Sequence, residues 1–223
     1  MRGRFITFEG GEGSGKSTQT AALAEHLRAR GIDVLLTREP GGSPGAEIIR
    51  HVILSGAAQP FGTDVEAILF AAARDDHLRV TILPALEAGR WVICDRFFDS
   101  TRAYQGALGA VDPQLIRSLE RVTVGNNVPD LTIMLDVPAD IGGKRAAARR
   151  GAAHADRFEA EDLTFHQKLR ETFLEIARRE PQRCVVVDGT QSLEQVGEAI
   201  WREVRERFGL ADTTIASAVQ VAS

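Results

Sequence analysis

The sequence predicts an α/β fold in which a five-stranded parallel sheet is flanked by helices. Three observations lead there. Five short runs are apolar almost throughout rather than alternating, the pattern of strands buried on both faces. Stripes at helical spacing separate them, so strand and helix alternate along the chain. A glycine-rich turn joins the first strand to the first helix. With right-handed crossovers this order gives a doubly wound sheet.

The strands are expected at Arg4 to Glu9, Asp33 to Thr37, Trp91 to Cys94, Leu131 to Val137 and Cys184 to Val187. After the first, Leu23 and Leu27 lie on one helix face among alanines, and Gly31 stops that helix. Ile48, Ile49, Val52 and Ile53 form a second stripe, ending at Gly56. Val65, Ile68, Leu69 and Ala72 form a third, whose continuation Pro84 kinks or splits. Asp112 followed by Pro113 is an N-cap with proline in the first turn, ahead of Leu115, Ile116, Leu119 and Val122. Phe165, Leu169 and Phe173 make another stripe. Ser192 with Gln195 fits a capping box before Val196, Ile200, Val204 and Phe208. One domain over residues 1–208 is expected. Residues 140–162, with Lys144, Arg145, Arg149, Arg150 and Arg157 among small residues, read as a short arginine-rich lid or as a solvated helix face. Residues 209–223 read as a flexible tail.

Composition narrows the function classes. The 223 residues are 43% hydrophobic and 26% charged, ordinary for a globular chain and outside the disordered and fibrous ranges. The formal net charge of -4 argues against a nucleic-acid polymer as partner. No apolar run approaches the roughly 20 residues of a membrane span. Cys94 and Cys184 lie inside apolar runs and read as buried thiols in a reducing cytoplasm.

Gly10-Gly11-Glu12-Gly13-Ser14-Gly15-Lys16-Ser17 fits G-x-x-x-x-G-K-[ST], between a strand and a helix that continues through Thr18. Such a loop turns its N–H groups inward around phosphates, and the helix adds its positive end. Lys16 reaches the β- and γ-phosphates of a triphosphate, and Ser17 offers its hydroxyl to Mg²⁺. Asp95, closing the Trp91 strand, supplies the metal-side carboxylate.

A regulatory GTPase would carry N-K-x-D after a later strand and D-x-x-G at the metal. Here Asn126-Asn127-Val128-Pro129-Asp130 lacks the lysine, and Asp95 is followed by Arg96. An arginine there sets a cationic fork beside the γ-phosphate, where a second anion docks. Arg38 ends the second strand, and parallel strands end on one side, so Arg38, Arg96 and the loop converge on one crevice. Phe70 and Arg74, one turn apart, share a helix face suited either to a base or to core packing.

FEGGEGSGKST, TREPGG, the FAAAR helix, DRFFDSTRAYQG and the arginine-rich stretch before Asp156-Arg157-Phe158 resemble, in order and spacing, the thymidylate kinase family over residues 4–208. The resemblance implies ATP and Mg²⁺ as cofactors, dTMP as acceptor, a P-loop fold with a five-stranded parallel sheet, and a homodimer. It implies that Arg38 and Arg96 bind the dTMP phosphate, Phe70 stacks on thymine, and Arg74 bonds its edge. Ser100, Thr101, Tyr104 and Gln105 belong to the same site, with Thr101 reading the base and Tyr104 packing under the sugar. Glu12 meets the sugar 3′-hydroxyl, and Arg145 packs near adenine. Some relatives carry an arginine in the P-loop; here Glu12 stands in that loop and the lid is crowded with arginine, the bacterial-type arrangement. Arg150 and Arg157, with Arg149 close behind, are then the expected catalytic arginines. A sister kinase with another acceptor, or a nucleotide-dependent switch without phosphoryl transfer, are the alternatives.

Overall fold

The computed structural model describes residues 2–150, 158 and 160–211. Five strands, β1 (Phe5–Glu9), β2 (Val34–Arg38), β3 (Trp91–Asp95), β4 (Leu131–Asp136) and β5 (Cys184–Asp188), form one sheet. All its pairs are parallel, in the order β2–β3–β1–β4–β5. Each strand lies within one residue of its expected place. Phe8 and Arg38 both stand in register with Asp95, so β1, β2 and β3 end level. The crevice is thereby set where the order reverses beside β1.

The helices are α1 (Lys16–Arg28), α2 (Pro44–Leu54), α3 (Thr63–His77), α4 (Leu83–Glu87), α5 (Phe98–Thr101), α6 (Pro113–Thr123), α7 (Ala139–Arg150), α8 (Leu163–Arg179) and α9 (Leu193–Phe208). On one sheet face Ile6, Phe8, Ile93 and Ile133 pack against Leu23 and Leu27 of α1 and Ile200 and Val204 of α9. The other face splits in two. Phe5, Val92 and Cys94 meet Leu78, Ile82 and Leu86, while Met134 meets Leu169 and Phe173 of α8. The alternate residues of β1 thus feed opposite cores, which is why its sequence is apolar without alternation.

Burial on both faces holds for β1 and β4 but not for the edge strands. Leu36 of β2 and Val186 of β5 are exposed, because helix cover runs out at the sheet margins. Two stripes also face elsewhere than expected. Ile48 of α2 is 70% exposed and Ile68 of α3 is 46% exposed. The buried face of α3 is instead Glu66, Ala67, Ala71, Ala73, Arg74 and His77. In α6, Ile116 is buried while Val122 is exposed.

Pro84 does not break its helix. A π-helical turn at Leu78–Ile82 links α3 to α4, so the helical course widens where the proline lacks its N–H. The expected caps are present. Asp112 accepts from the Gln114 N–H at 2.7 Å, and Ser192 and Gln195 form a reciprocal capping box. Both cysteines are buried and unpaired, and burial raises both thiols, that of Cys184 to about 12. No helix among the described residues is long and apolar enough to cross a membrane. The first half of the arginine-rich stretch is α7, whose buried Gly142 packs on the loop after β1. Asp156, Arg157 and residues 212–223 of the tail lie outside the described residues.

Candidate active site

The loop between β1 and α1 is shaped by its glycines. Gly15 caps α1 with φ 95°, a left-handed conformation that keeps the first N–H groups of the helix pointing at the cradle. Gly13 has φ 66°, and a Cβ there would stand 2.0 Å from the Gly142 carbonyl oxygen, so α7 lies directly on the loop. Lys16 folds back over the cradle. Its Nζ donates to the carbonyls of Gly10 at 3.1 Å and Gly11 at 2.8 Å, and to Ser14 Oγ at 3.3 Å. Burial and then the Arg96 charge lower its ammonium to about 8. Ser17 Oγ donates to Asp95 Oδ2 at 2.6 Å, joining the first turn of α1 to the end of β3. Both are hard oxygen donors, the kind Mg²⁺ takes singly or in pairs while keeping waters and phosphate oxygens, so the pair fits that ion.

Arg96 follows β3 with φ 68°, an uncommon conformation for a side-chain-bearing residue and a local strain of order 1 kcal/mol. The turn aims its guanidinium at the cradle. Nη1 donates to the Gly10 carbonyl at 3.2 Å and Ser100 Oγ at 3.3 Å, and Nη2 to Glu12 Oε1. Tyr104 donates its hydroxyl to the same Glu12 oxygen at 3.2 Å, and its ring lies 5.3 Å from the Arg96 guanidinium carbon. Burial would raise the Glu12 carboxyl, but Arg96, Lys16 and the Tyr104 hydroxyl overcome it and hold the group at about 2. Glu12 is thus a fixed anion inside a cationic site.

Ser100 and Thr101 ride on α5, which two buried carboxylates anchor. Asp99 takes both ends of the Arg183 fork, at 2.7 and 2.8 Å. The guanidinium carbons of Arg102 and Arg183 lie 4.5 and 4.8 Å from the Phe98 ring centre. Glu9, at the end of β1, accepts from the Phe97 N–H at 2.7 Å, the Ser100 N–H at 3.2 Å and Ser100 Oγ at 2.6 Å. Burial and then the Asp99 charge push the Glu9 carboxyl up to about 7 against the pull of Arg96. Its stabilising contribution is therefore full below about pH 4.5, where folded and unfolded chains are both protonated, and is lost as pH rises through about 7. Unfolding titrations across that window should show Glu9→Gln losing less stability with pH than the wild type, the difference approaching about 1.4 kcal/mol per pH unit at most. Equal slopes would show that Glu9 is ionised throughout.

Two clefts meet at the cradle. The larger, about 360 Å³, is lined by Arg38, Phe70, Arg74, Arg96, Ser100, Thr101, Tyr104, Gln105 and Phe158 together with the loop from Glu12 to Thr18. Phe70 is only half-buried. Its ring centre is 6.2 Å from that of Phe158, which lies 5.2 Å from Tyr104, so three aromatic rings wall one side. Arg38 stands at the mouth, paired with Glu47 at 3.0 Å. The second cleft, about 320 Å³, runs from Gly13, Ser14, Gly15 and Thr18 past Arg145, Gly189, Gln191 and Leu193. There Arg145 donates to the Gly189 carbonyl at 2.7 Å.

Arg149 lines both clefts. Arg150, its neighbour on α7, instead lines a third and smaller cleft with Gly11, Glu12, His166 and Arg170. The fold therefore brings Lys16, Ser17, Asp95, Arg96 and Arg149 to the larger cleft, and places Arg150 on the other flank of the loop, beside Gly11 and Glu12. Arg157 lies outside the described residues. Sequence reading missed Glu9, Glu39 and His77, the last two being buried polar groups behind Arg74. A charged residue closing an all-apolar strand was the available signal for Glu9; Glu39 and His77 gave none.

A single phosphate loop shared by two clefts suits an enzyme that passes a phosphoryl group from one ligand to another, and this sets the chain among the P-loop kinases. The thymidylate kinase family model matches residues 8–200. The chain is 60% identical to a thymidylate kinase of Bradyrhizobium sp. over 93% of its own length and 92% of the relative's. It is 59% identical to one of Nitrobacter hamburgensis, over 96% and 93%, and 62% identical to one of Rhodopseudomonas palustris, over 93% and 90%. The chain belongs to the thymidylate kinase family.

Proposed function

We propose that phosphoryl transfer from ATP to dTMP, giving ADP and dTDP, runs across the junction of the two clefts. The observation that carries this reading is Arg149, which lines both clefts beside the loop holding Lys16. ATP lies along the second cleft, its adenine near Arg145 and its phosphates in the loop from Gly10 to Thr18. dTMP fills the larger cleft, with thymine against Phe70, its edge toward Arg74 and Thr101, its sugar over Tyr104 with the 3′-hydroxyl at Glu12, and its phosphate toward Arg96 and Arg38. Ser100 and Gln105 complete that wall. Ser17 and Asp95 hold Mg²⁺, which when bound neutralises phosphate oxygens of the nucleotide.

The nucleophile is a phosphate oxygen with a second pKa of about 6, already ionised at neutral pH, so the site needs no general base. The obstacle is anion repulsion, roughly 4 kcal/mol for two unit charges 4 Å apart at an effective dielectric of 20. Lys16, Arg38, Arg96 and Arg149 offset it and hold the reacting oxygens in line. On the strength of the resemblance Arg157 joins them as a lid arginine, while Arg150, on the far flank of the loop, has the lesser part. A lid over residues 140–162 excludes water that would otherwise hydrolyse ATP. One domain spans residues 1–208, with residues 209–223 as a tail. Two copies form a dimer, in keeping with the apolar Ile48, Ile68 and Val122 exposed on α2, α3 and α6.

A coupled ADP-release assay with dTMP, dUMP, dCMP and AMP tests the reading, and dTMP should give the highest kcat/KM. Faster turnover of another acceptor makes the chain a sister kinase, and ADP release independent of any acceptor makes it a switch. Phe70→Ala should raise the KM for dTMP about tenfold, the scale of one lost base–aromatic stack, with the KM for ATP unchanged. Equal losses for both nucleotides would point to misfolding rather than stacking.

A further inference from the structure

Arg74 is almost wholly buried, yet it lines the larger cleft. Its Nε donates to Glu39 Oε2 at 2.8 Å, and its Nη2 to Thr101 Oγ1 at 3.0 Å and the Phe97 carbonyl at 3.3 Å. Those contacts use three of the five N–H donors. Nη1 has no partner among the described residues and is not among the sealed, unsatisfied polar atoms. The guanidinium is thus clamped on one edge and presents the other to the ligand.

Glu39 is itself clamped. Its second oxygen, Oε1, lies 3.2 Å from His77 Nδ1, and His77 Nε2 lies 2.7 Å from Thr37 Oγ1. A carboxylate only accepts, so the proton sits on His77 Nδ1. The chain Thr37–His77–Glu39–Arg74–Thr101 ties the end of β2 to α3 and α5. Every residue in it apart from Thr37 is buried.

We propose that Glu39 and His77 are positioning residues for the acceptor base: they fix Arg74 so that a pair of donors, and no acceptor, faces the base edge. This rests on the dTMP reading of the larger cleft. The selectivity follows from hydrogen-bond chemistry. A clamped donor pair accepts a base carrying a carbonyl at that edge and rejects one carrying an amino group, because two donors then face each other with neither satisfied. An arginine free to swing would withdraw and lose that discrimination. Glu39 touches neither reacting phosphate, so its removal should show in acceptor affinity and not in the chemical step.

Steady-state kinetics on the full chain provide the test. Glu39→Ala should raise the KM for dTMP about tenfold or more and narrow the dTMP-over-dCMP preference in kcat/KM, with the KM for ATP unchanged. Glu39→Gln should recover most of the loss. Its amide oxygen still accepts from Arg74 Nε, and its amide nitrogen donates to a His77 of reversed tautomer. His77→Leu, which keeps volume, should raise the KM for dTMP in the same selective way, and it stands in should Glu39→Ala fail to fold. A merely structural role predicts less active enzyme with unaltered KM values. Unchanged dTMP KM and selectivity in Glu39→Ala, or in His77→Leu where only that variant folds, overturns the proposal. Arg74→Ala separates the two levels. If it raises the KM for dTMP while the positioning variants do not, only the clamp is wrong; if it too leaves that KM unchanged, the acceptor assignment falls as well.

Discussion

Lys16→Ala lowers turnover about a thousandfold or more while the chain still folds, the upper end of what one preorganised donor to a developing anion contributes. The buried Nζ now rests on two backbone carbonyls and a hydroxyl, all neutral. Burial and Arg96 lower its ammonium to about 8 against the pull of Glu12, Asp95 and Glu9. A triphosphate brings further negative charge to it, and the charge spreading over the transferred phosphoryl draws on Lys16 more strongly than the ground state does. The fold survives because α1 is held by other means. Leu23, Ala24 and Leu27 remain buried against the sheet, and the Gln19 N–H still closes on the Gly15 carbonyl at 3.0 Å. Losing the donor at Gly10 and Gly11 costs about 1–3 kcal/mol, against a typical total of about 5–15 kcal/mol. Steady-state ADP release gives the rate and thermal unfolding the fold. A folded variant with wild-type turnover would remove Lys16 from the chemistry.

The sheet was legible because both β1 neighbours and both covering layers act on the same few residues. Phe5 and Phe8 must each be apolar for different cores, so no alternation survives. The caps at Asp112 and Ser192 were legible because their partners lie two or three residues away. The orientation of α2 and α3 was not. Apolar spacing says that a helix has a face, not which neighbour covers it. On α3 the covered face carries Glu66, Arg74 and His77, and Arg74 and His77 bond to Glu39 and, for Arg74, Thr101, groups hydropathy cannot connect to it. The site divides the same way. The cradle is local in sequence and so was legible as one motif, and the structure sets Asp95 2.6 Å from its Ser17. Glu9 meets Ser100 across 91 positions and Asp99 meets Arg183 across 84, and such pairs exist only once the strands are ordered.

Arg149→Ala lowers kcat about a hundredfold to a thousandfold, and Arg150→Ala by less than about tenfold. Sequence spacing does not separate the two, since both arginines close the same helix; the resemblance put Arg150 only narrowly ahead of Arg149. Adjacent helical residues point about 100° apart, so the rotation of α7 decides which one reaches the phosphates. That rotation is fixed by Gly142 and Ala146, the buried positions of α7, with Gly142 packed on the Glu12 carbonyl. It turns Arg149 toward the junction of the two clefts, close enough for its charge to help lower the Glu12 carboxyl. It turns Arg150 into the third cleft, beside Gly11, Glu12, His166 and Arg170. An arginine at the junction touches the charge in transit rather than either nucleotide's base, so the KM values for ATP and dTMP should move far less than kcat. Arg149→Lys should recover only part of the rate, because an ammonium cannot span two phosphate oxygens as a planar fork does. Single-turnover rates with both nucleotides saturating measure the difference. A larger loss from Arg150→Ala than from Arg149→Ala would mean that the phosphoryl is met from the Arg150 side of α7, across Gly11 and Glu12.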